Sequence, residues 1–143
     1  MAKALVVYAT RKGATKAIAD LIAEGIRSAG AQADCVNVTE IKREEDLDGY
    51  DAYVLGSATY HGEMIPAMKS MLFLAEKANL AGKPGGSFGA YGWSGEAPGR
   101  IYDTMKEIFK MSMVSGPLML GSSTVLGGRE RAQDYGREVA RGL

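Results

Sequence analysis

The chain has 143 residues, 46% hydrophobic and 24% charged, which is enough to bury a core and too apolar for a disordered segment. Seventeen basic and 17 acidic side chains cancel to a formal charge of zero, so no general attraction to nucleic acid or to an anionic membrane is expected. The single cysteine, Cys35, rules out an intramolecular disulfide and fits a reducing cytoplasm.

In chain order, MAKALVVYAT opens with a short apolar stretch followed at once by Arg11 and Lys12, and reads as a strand rather than a signal peptide. No run approaches the ~18 apolar residues of a membrane span. ALVVY (4–8) is continuously apolar, as expected of a strand covered on both faces. Ile18, Leu21, Ile22, Ile26 and Ala29 then recur at helical spacing, with Gly30 as the stop. ADCVNV (33–38) alternates weakly, like a strand nearer an edge, and Cys35 within it reads as a small strand residue rather than a reactive thiol. The polar TEIKREEDLDGY predicts a short helix or loop, and AYVLGS (52–57) a second buried strand.

Pro66 can open a helix that buries Met68, Met71, Leu72 and Ala75. GGSFGAYG (85–92) predicts a fourth strand, RIYDTMKEIFKM a third helix, PLML (117–120) a fifth strand and RERAQDYGREVARGL a closing helix. The methionines at helical spacing read as core filler, with Met64 at a loop edge the one left open. The alternation implies one domain over residues 1–143: a doubly wound, five-stranded parallel sheet with helices on both faces.

In such sheets ligands bind beyond the carboxyl ends of the strands, where the strand order reverses. Three unusual loops fall there. In the first, Thr10, Arg11, Lys12, Gly13, Ala14 and Thr15 join a strand to a helix. Backbone amides, the helix dipole, two hydroxyls and a glycine suit a phosphate. The spacing is neither a Walker A loop nor a GxGxxG fingerprint. The same residues would also serve as a plain helix start, capped by Thr15 or Thr10. The second loop carries Thr59, Tyr60, His61, Gly62 and Glu63, with the chain's only histidine, so a histidine-based metal site is not expected. The third sets Tyr91 and the only tryptophan, Trp93, among Gly92, Ser94 and Gly95, a composition suited to a flat ring. Ser94 with His61 does not make a hydrolase, since no G-x-S-x-G elbow or acid partner accompanies them. A phosphate at one end and a planar ring at the other describe FMN.

TRKGAT resembles the phosphate loop of the flavodoxin family, GSATYHG its second flavin loop and GAYGWSGEA its third. The last two are most similar to the flavin domains of flavodiiron proteins. The resemblance spans essentially the whole chain and implies the short-chain form of the fold. It implies that residues 10–15 surround the FMN phosphate and that Thr59, Tyr60, His61 and Gly62 flank one side of the isoalloxazine near N5. Tyr91, Gly92, Trp93, Ser94 and Gly95 would line the other side and the pyrimidine edge. A family peptide flip beside N5 would fall at His61–Gly62 or Gly62–Glu63. Two departures stand out. The chain is neutral where electron-shuttling flavodoxins are acidic, and it contains no His-x-Glu-x-Asp-His iron-binding segment.

The expected function is therefore FMN-based electron transfer between redox partner proteins, a reductase and an acceptor, with no catalytic side chain and no metal. The expectation favours a carrier over a stand-alone catalyst. The alternative is an FMN-dependent NAD(P)H:quinone-type reductase. A receiver-type signalling domain would need acidic residues where Ala9-Thr10 and Gly56-Ser57 stand.

Overall fold

The computed structural model describes residues 2–91, 95–121 and 125–143. Its first strand, β1 (Lys3–Ala9), is buried from Ala4 onward. The continuous apolar run arises because successive side chains serve opposite layers. Ala4, Val6 and Tyr8 enter one core, and Leu5, Val7 and Ala9 the other.

Helix α1 (Ala14–Ser28) returns the chain to β2 (Gln32–Asn37), which pairs parallel to β1 with Val6 opposite Cys35. Gly30 follows the helix with φ 97°, in keeping with the expected stop. The polar stretch after β2 forms two short 3-10 turns, Val38–Glu40 and Glu44–Leu47. Asn37 caps the first, accepting from the Thr39 amide while its own amide donates to Glu40. Strand β3 (Ala52–Ser57) then pairs with the other side of β1. The chain thus crosses from one side of β1 to the other, which puts the switch point between β1 and β3.

A two-stranded antiparallel hairpin follows, β4 (Thr59–Tyr60) and β5 (Glu63–Met64), then α2 (Pro66–Lys77) and β6 (Pro84–Tyr91), parallel to β3. The hairpin had not been expected. Helix α3 (Glu96–Asp103) begins four residues before the expected start at Arg100. Pro98 and Gly99 suggest a loop, yet a proline in the first turn loses no helical hydrogen bond. The helix continues as a wider π turn over Thr104–Ile108.

The fifth strand position is split. β7 (Ser112–Met113) pairs with Pro84–Gly85, and β8 (Leu118–Gly121), the expected fifth strand, pairs with Phe88–Tyr91. Two short segments thus share one edge of β6, and all the main-sheet pairs are parallel. Helix α4 (Val125–Arg141) closes the described chain.

Helices α1 and α4 cover one face, where Ile22, Phe88, Ala132 and Val139 are fully buried. Helices α2 and α3 cover the other, with Met68, Met71, Ile101 and Met105 in the core. Met64 is also buried, so the loop-edge methionine belongs to the core. At the α1–α4 crossing, a Cβ on Gly25 would collide with the Gln133 carbonyl and one on Gly136 with the Ile22 carbonyl. Glycine costs a helix interior about 1 kcal/mol. Here it is what allows the backbones to touch.

Gly136→Ala is expected to destabilise the fold by about 1–3 kcal/mol despite alanine's better helix propensity, because the obstructing atoms are backbone. Urea denaturation checks this. At the sheet edge the Tyr50 hydroxyl donates to Asp34 at 2.7 Å, which holds that carboxyl below its usual range. Tyr50→Phe should cost about 1 kcal/mol at neutral pH, scaled down because the pair is partly exposed. A folded carboxyl with a lowered pKa contributes stability above its unfolded pKa and loses it as pH falls. The wild-type and Tyr50→Phe denaturation curves should therefore converge below about pH 4.

Candidate functional site

The turn from β1 to α1 is folded by Thr10, whose hydroxyl accepts the Gly13 amide at 3.0 Å. Gly13 has φ 91°, and a Cβ there would meet nothing within 4 Å, so backbone conformation rather than crowding demands glycine. No side chain caps α1, and its first helical bond runs from Ala17 N to Gly13 O. The opening amides thus sit at the positive end of the helix dipole without a capping side chain. Neither Thr10 nor Thr15 is the helix cap. Thr15 is fully buried, and its hydroxyl accepts the Ala90 amide of β6 at 3.4 Å. Arg11 and Lys12 are exposed, and the Arg11 guanidinium lies 4.1 Å from the centroid of the Tyr60 ring.

Beyond β3, the β4–β5 hairpin turns through His61 and Gly62, with φ 50° and 74°. Two consecutive left-handed residues are the geometry that tight hairpins favour. A histidine there is strained, while Gly62 is not. The hairpin is sewn down at three points. Buried Ser57 accepts the Ile65 amide at 3.0 Å and donates to Ala58 O at 2.8 Å. The Thr59 hydroxyl accepts the Ala97 amide of α3 at 3.0 Å. Arg100 Nε donates to the Gly62 carbonyl at 3.1 Å. Glu63 accepts the Met64 amide and stands 3.5 Å from Lys69 and 4.0 Å from Arg100. That amide, with the two cations behind it, holds its carboxyl below the ordinary range. His61 is exposed at the tip, its ring centroid 6.4 Å from that of Tyr60.

Tyr91 ends β6 and is exposed. Gly92, Trp93 and Ser94 lie outside the described residues. A Cβ on Gly95 would meet the terminal methyl of Met119 on β8, which can move aside, and would approach Tyr91 Cβ at 3.3 Å. Cys35 is remote from these loops; burial pushes its thiol up to about 12, and it donates to Asp20 at 3.5 Å. A thiol raised in this way stays protonated at neutral pH and is a poor nucleophile. Among the described residues no cluster of His, Cys, Asp or Glu could hold a metal.

The structure therefore brings the described residues of the three loops to one sheet edge. Arg11 touches Tyr60, Thr15 holds Ala90, and Thr59 holds Ala97. An uncapped helix start beside two hydroxyls and two cations can receive a phosphate, and the neighbouring tyrosines can cover a flat ring. Ser57 and Arg100 had not been singled out in the sequence. Of the turn pair His61-Gly62, only the glycine is a residue that a tight hairpin favours, so the hairpin signal in the sequence is weak. Arg100 lies 38 residues from its partner and leaves no local trace.

The model of the flavodoxin domain matches residues 5–136. A flavodoxin structure from the domain Archaea superposes with a TM-score of 0.88 at 30% identity, covering 97% of this chain and 96% of that one. An NAD(P)H dehydrogenase (quinone) of Rhodopseudomonas palustris is 36% identical over 62% of this chain and 56% of its own length. A flavo-diiron protein of Clostridium acetobutylicum is 29% identical over 72% of this chain and 27% of its own. The chain thus spans about half the length of the first and about a quarter of the second.

Gly13→Ala forces an L-residue into the left-handed region without any clash, so it is expected to cost about 1 kcal/mol of stability. Chemical denaturation of the ligand-free protein measures it.

Proposed function

This chain belongs to the flavodoxin family and is related to the flavin domains of flavodiiron proteins, and from that premise we propose that it is an FMN-carrying electron-transfer protein whose redox partners are other proteins. The observation that supports the site most directly is the uncapped start of α1 behind Gly13, set against the hairpin that bears Tyr60. When bound, FMN supplies the redox chemistry, accepting and donating electrons, while the protein supplies binding and tuning.

Residues 10–15 would hold the phosphate, chiefly through the amides at the head of α1, with Thr10 keeping the loop closed. Thr59, Tyr60, His61 and Gly62 would flank the ring on one side, and Tyr91 with Gly95 on the other. Gly92, Trp93 and Ser94 would complete that wall. In this reading residues 1–143 act as one flavin domain, and no side chain serves as an acid or base. The zero formal charge leaves docking without strong long-range steering, which points to contact shape for partner choice. No described helix is long and apolar enough to cross a membrane. We place the protein in the cytoplasm, a setting that a chain with one cysteine fits.

Likeness to the R. palustris quinone dehydrogenase favours a second reading, direct reduction of quinones by NAD(P)H on the same flavin. The two readings share a cofactor and differ in what delivers the electrons.

Fluorescence-quenching titration of the apoprotein tests the cofactor. FMN should bind below micromolar concentration, and riboflavin, lacking the phosphate, about 100-fold more weakly. That ratio corresponds to two charge-assisted hydrogen bonds of ~1.5 kcal/mol each. Failure to bind any flavin at micromolar concentration would overturn the reading. In the FMN-loaded protein, slow NAD(P)H oxidation without a partner reductase supports the carrier, whereas rapid turnover with quinone supports the enzyme.

A further inference from the structure

We propose that Arg100 is a positioning residue that locks the His61–Gly62 turn against α3 and thereby fixes the wall that this turn presents to the cofactor. The second half rests on the FMN reading above; the first rests on the geometry of this chain alone.

A hairpin with two residues per strand does not hold its own shape in water. This one also carries a histidine at φ 50°, a conformation that persists only when the surroundings enforce it. The base is held by Ser57 and the flank by the bond from Ala97 to Thr59. At the tip, among the described residues, the side chain that reaches the backbone is Arg100, whose Nε donates to the Gly62 carbonyl at 3.1 Å. Rotation of the Gly62–Glu63 peptide would break that bond.

The chemistry of the pair suits a clamp. The single N–H on Nε lies in the rigid guanidinium plane, which fixes its direction toward the Gly62 carbonyl, and the charge strengthens the bond. Glu63 Oε1 stands 4.0 Å from the same Nε, and Lys69 holds the other carboxylate oxygen at 3.5 Å. Glu63 in turn accepts the Met64 amide at 3.0 Å, so the carboxylate that lies beside Arg100 is itself held on β5. The Arg100 side chain is more than half exposed and packs no core, which separates its role from the stability of the sheet. Because α3 starts directly after the third loop, the clamp also joins the second loop to the element that anchors the third.

The test uses Arg100→Met and Arg100→Lys in the full chain, with two readouts. In the ligand-free protein, amide hydrogen exchange at Gly62, Glu63 and Met64 should speed up about tenfold in Arg100→Met, with β1 and β3 unchanged. This corresponds to one hydrogen bond to a charged donor. Arg100→Lys, which keeps the charge but loses the planar fork, should fall between that variant and wild type. FMN affinity should weaken about tenfold in Arg100→Met. Unchanged exchange at the turn overturns the clamp, even if affinity falls, because the arginine then acts through charge alone. If Arg100→Met does not fold, the same exchange measurement on Arg100→Lys decides the matter. If wild type binds no FMN, the cofactor half fails, and exchange still decides whether Arg100 holds the turn.

Discussion

A parallel sheet buried on both faces can display polar chemistry in few places, chiefly the edge where its strands end. β1, β3 and β6 are neighbours in that sheet, with Ala9 opposite Ser57 and Gly56 opposite Phe88. Their registers bring residues 10–15, residues 58–65 and Tyr91 to the same edge. Because β1 from Ala4 onward and β3 are buried and largely apolar, the polar groups at this end find partners in one another, in water or in a ligand. Thr15 with Ala90 and Thr59 with Ala97 are such partnerships, each joining loops distant in sequence. The site is a consequence of the sheet's burial before it is a consequence of any motif.

The parts of this arrangement that sequence reading reaches are those with a local period. The six residues of β1 from Ala4 to Ala9 divide between two cores, which is why an unbroken apolar run announced a central strand. The helical spacing of Met68, Met71 and Leu72 did the same for α2. Gly13 and Gly62 stood out through composition, and both lie at positive φ. What escaped has no local period. The split of the fifth strand between β7 and β8 depends on where β6 offers free edge, and the Gly25–Gly136 contact depends on how closely two helices cross. Helix α3 begins before the start its sequence predicts, because Pro98 reads as a breaker unless it lies in a first turn. Arg100 is an ordinary surface arginine in sequence, and only the fold carries it to Gly62.

The two described walls of the site are preorganised by different means. The first loop holds its shape from within, through a left-handed glycine and one bond from the Gly13 amide to the Thr10 hydroxyl. The hairpin holds its shape through side chains that reach in from β3 and α3. A preformed loop loses little ordering entropy when a ligand arrives, so more of the contact energy remains as affinity. A side-chain-clamped loop shares that advantage only while its clamps hold. In the proposed site the hairpin would therefore be the wall where substitution outside the loops tunes the cofactor.

Arg11 bears on how a neutral chain would hold a dianionic phosphate. Its guanidinium is already engaged with the Tyr60 ring, a contact that a cation makes at about 0.5–2 kcal/mol depending on exposure. Recruiting Arg11 to an anion means giving up part of that contact, so its net contribution to phosphate binding is reduced by the same amount. Lys12 is exposed, and an exposed charge is largely screened. The uncapped amides at the head of α1 have no such competing partner among the described side chains. In the proposed function they, rather than the two cations that make TRKGAT conspicuous, would carry most of the phosphate affinity. Arg11 would then chiefly join the phosphate loop to the ring wall.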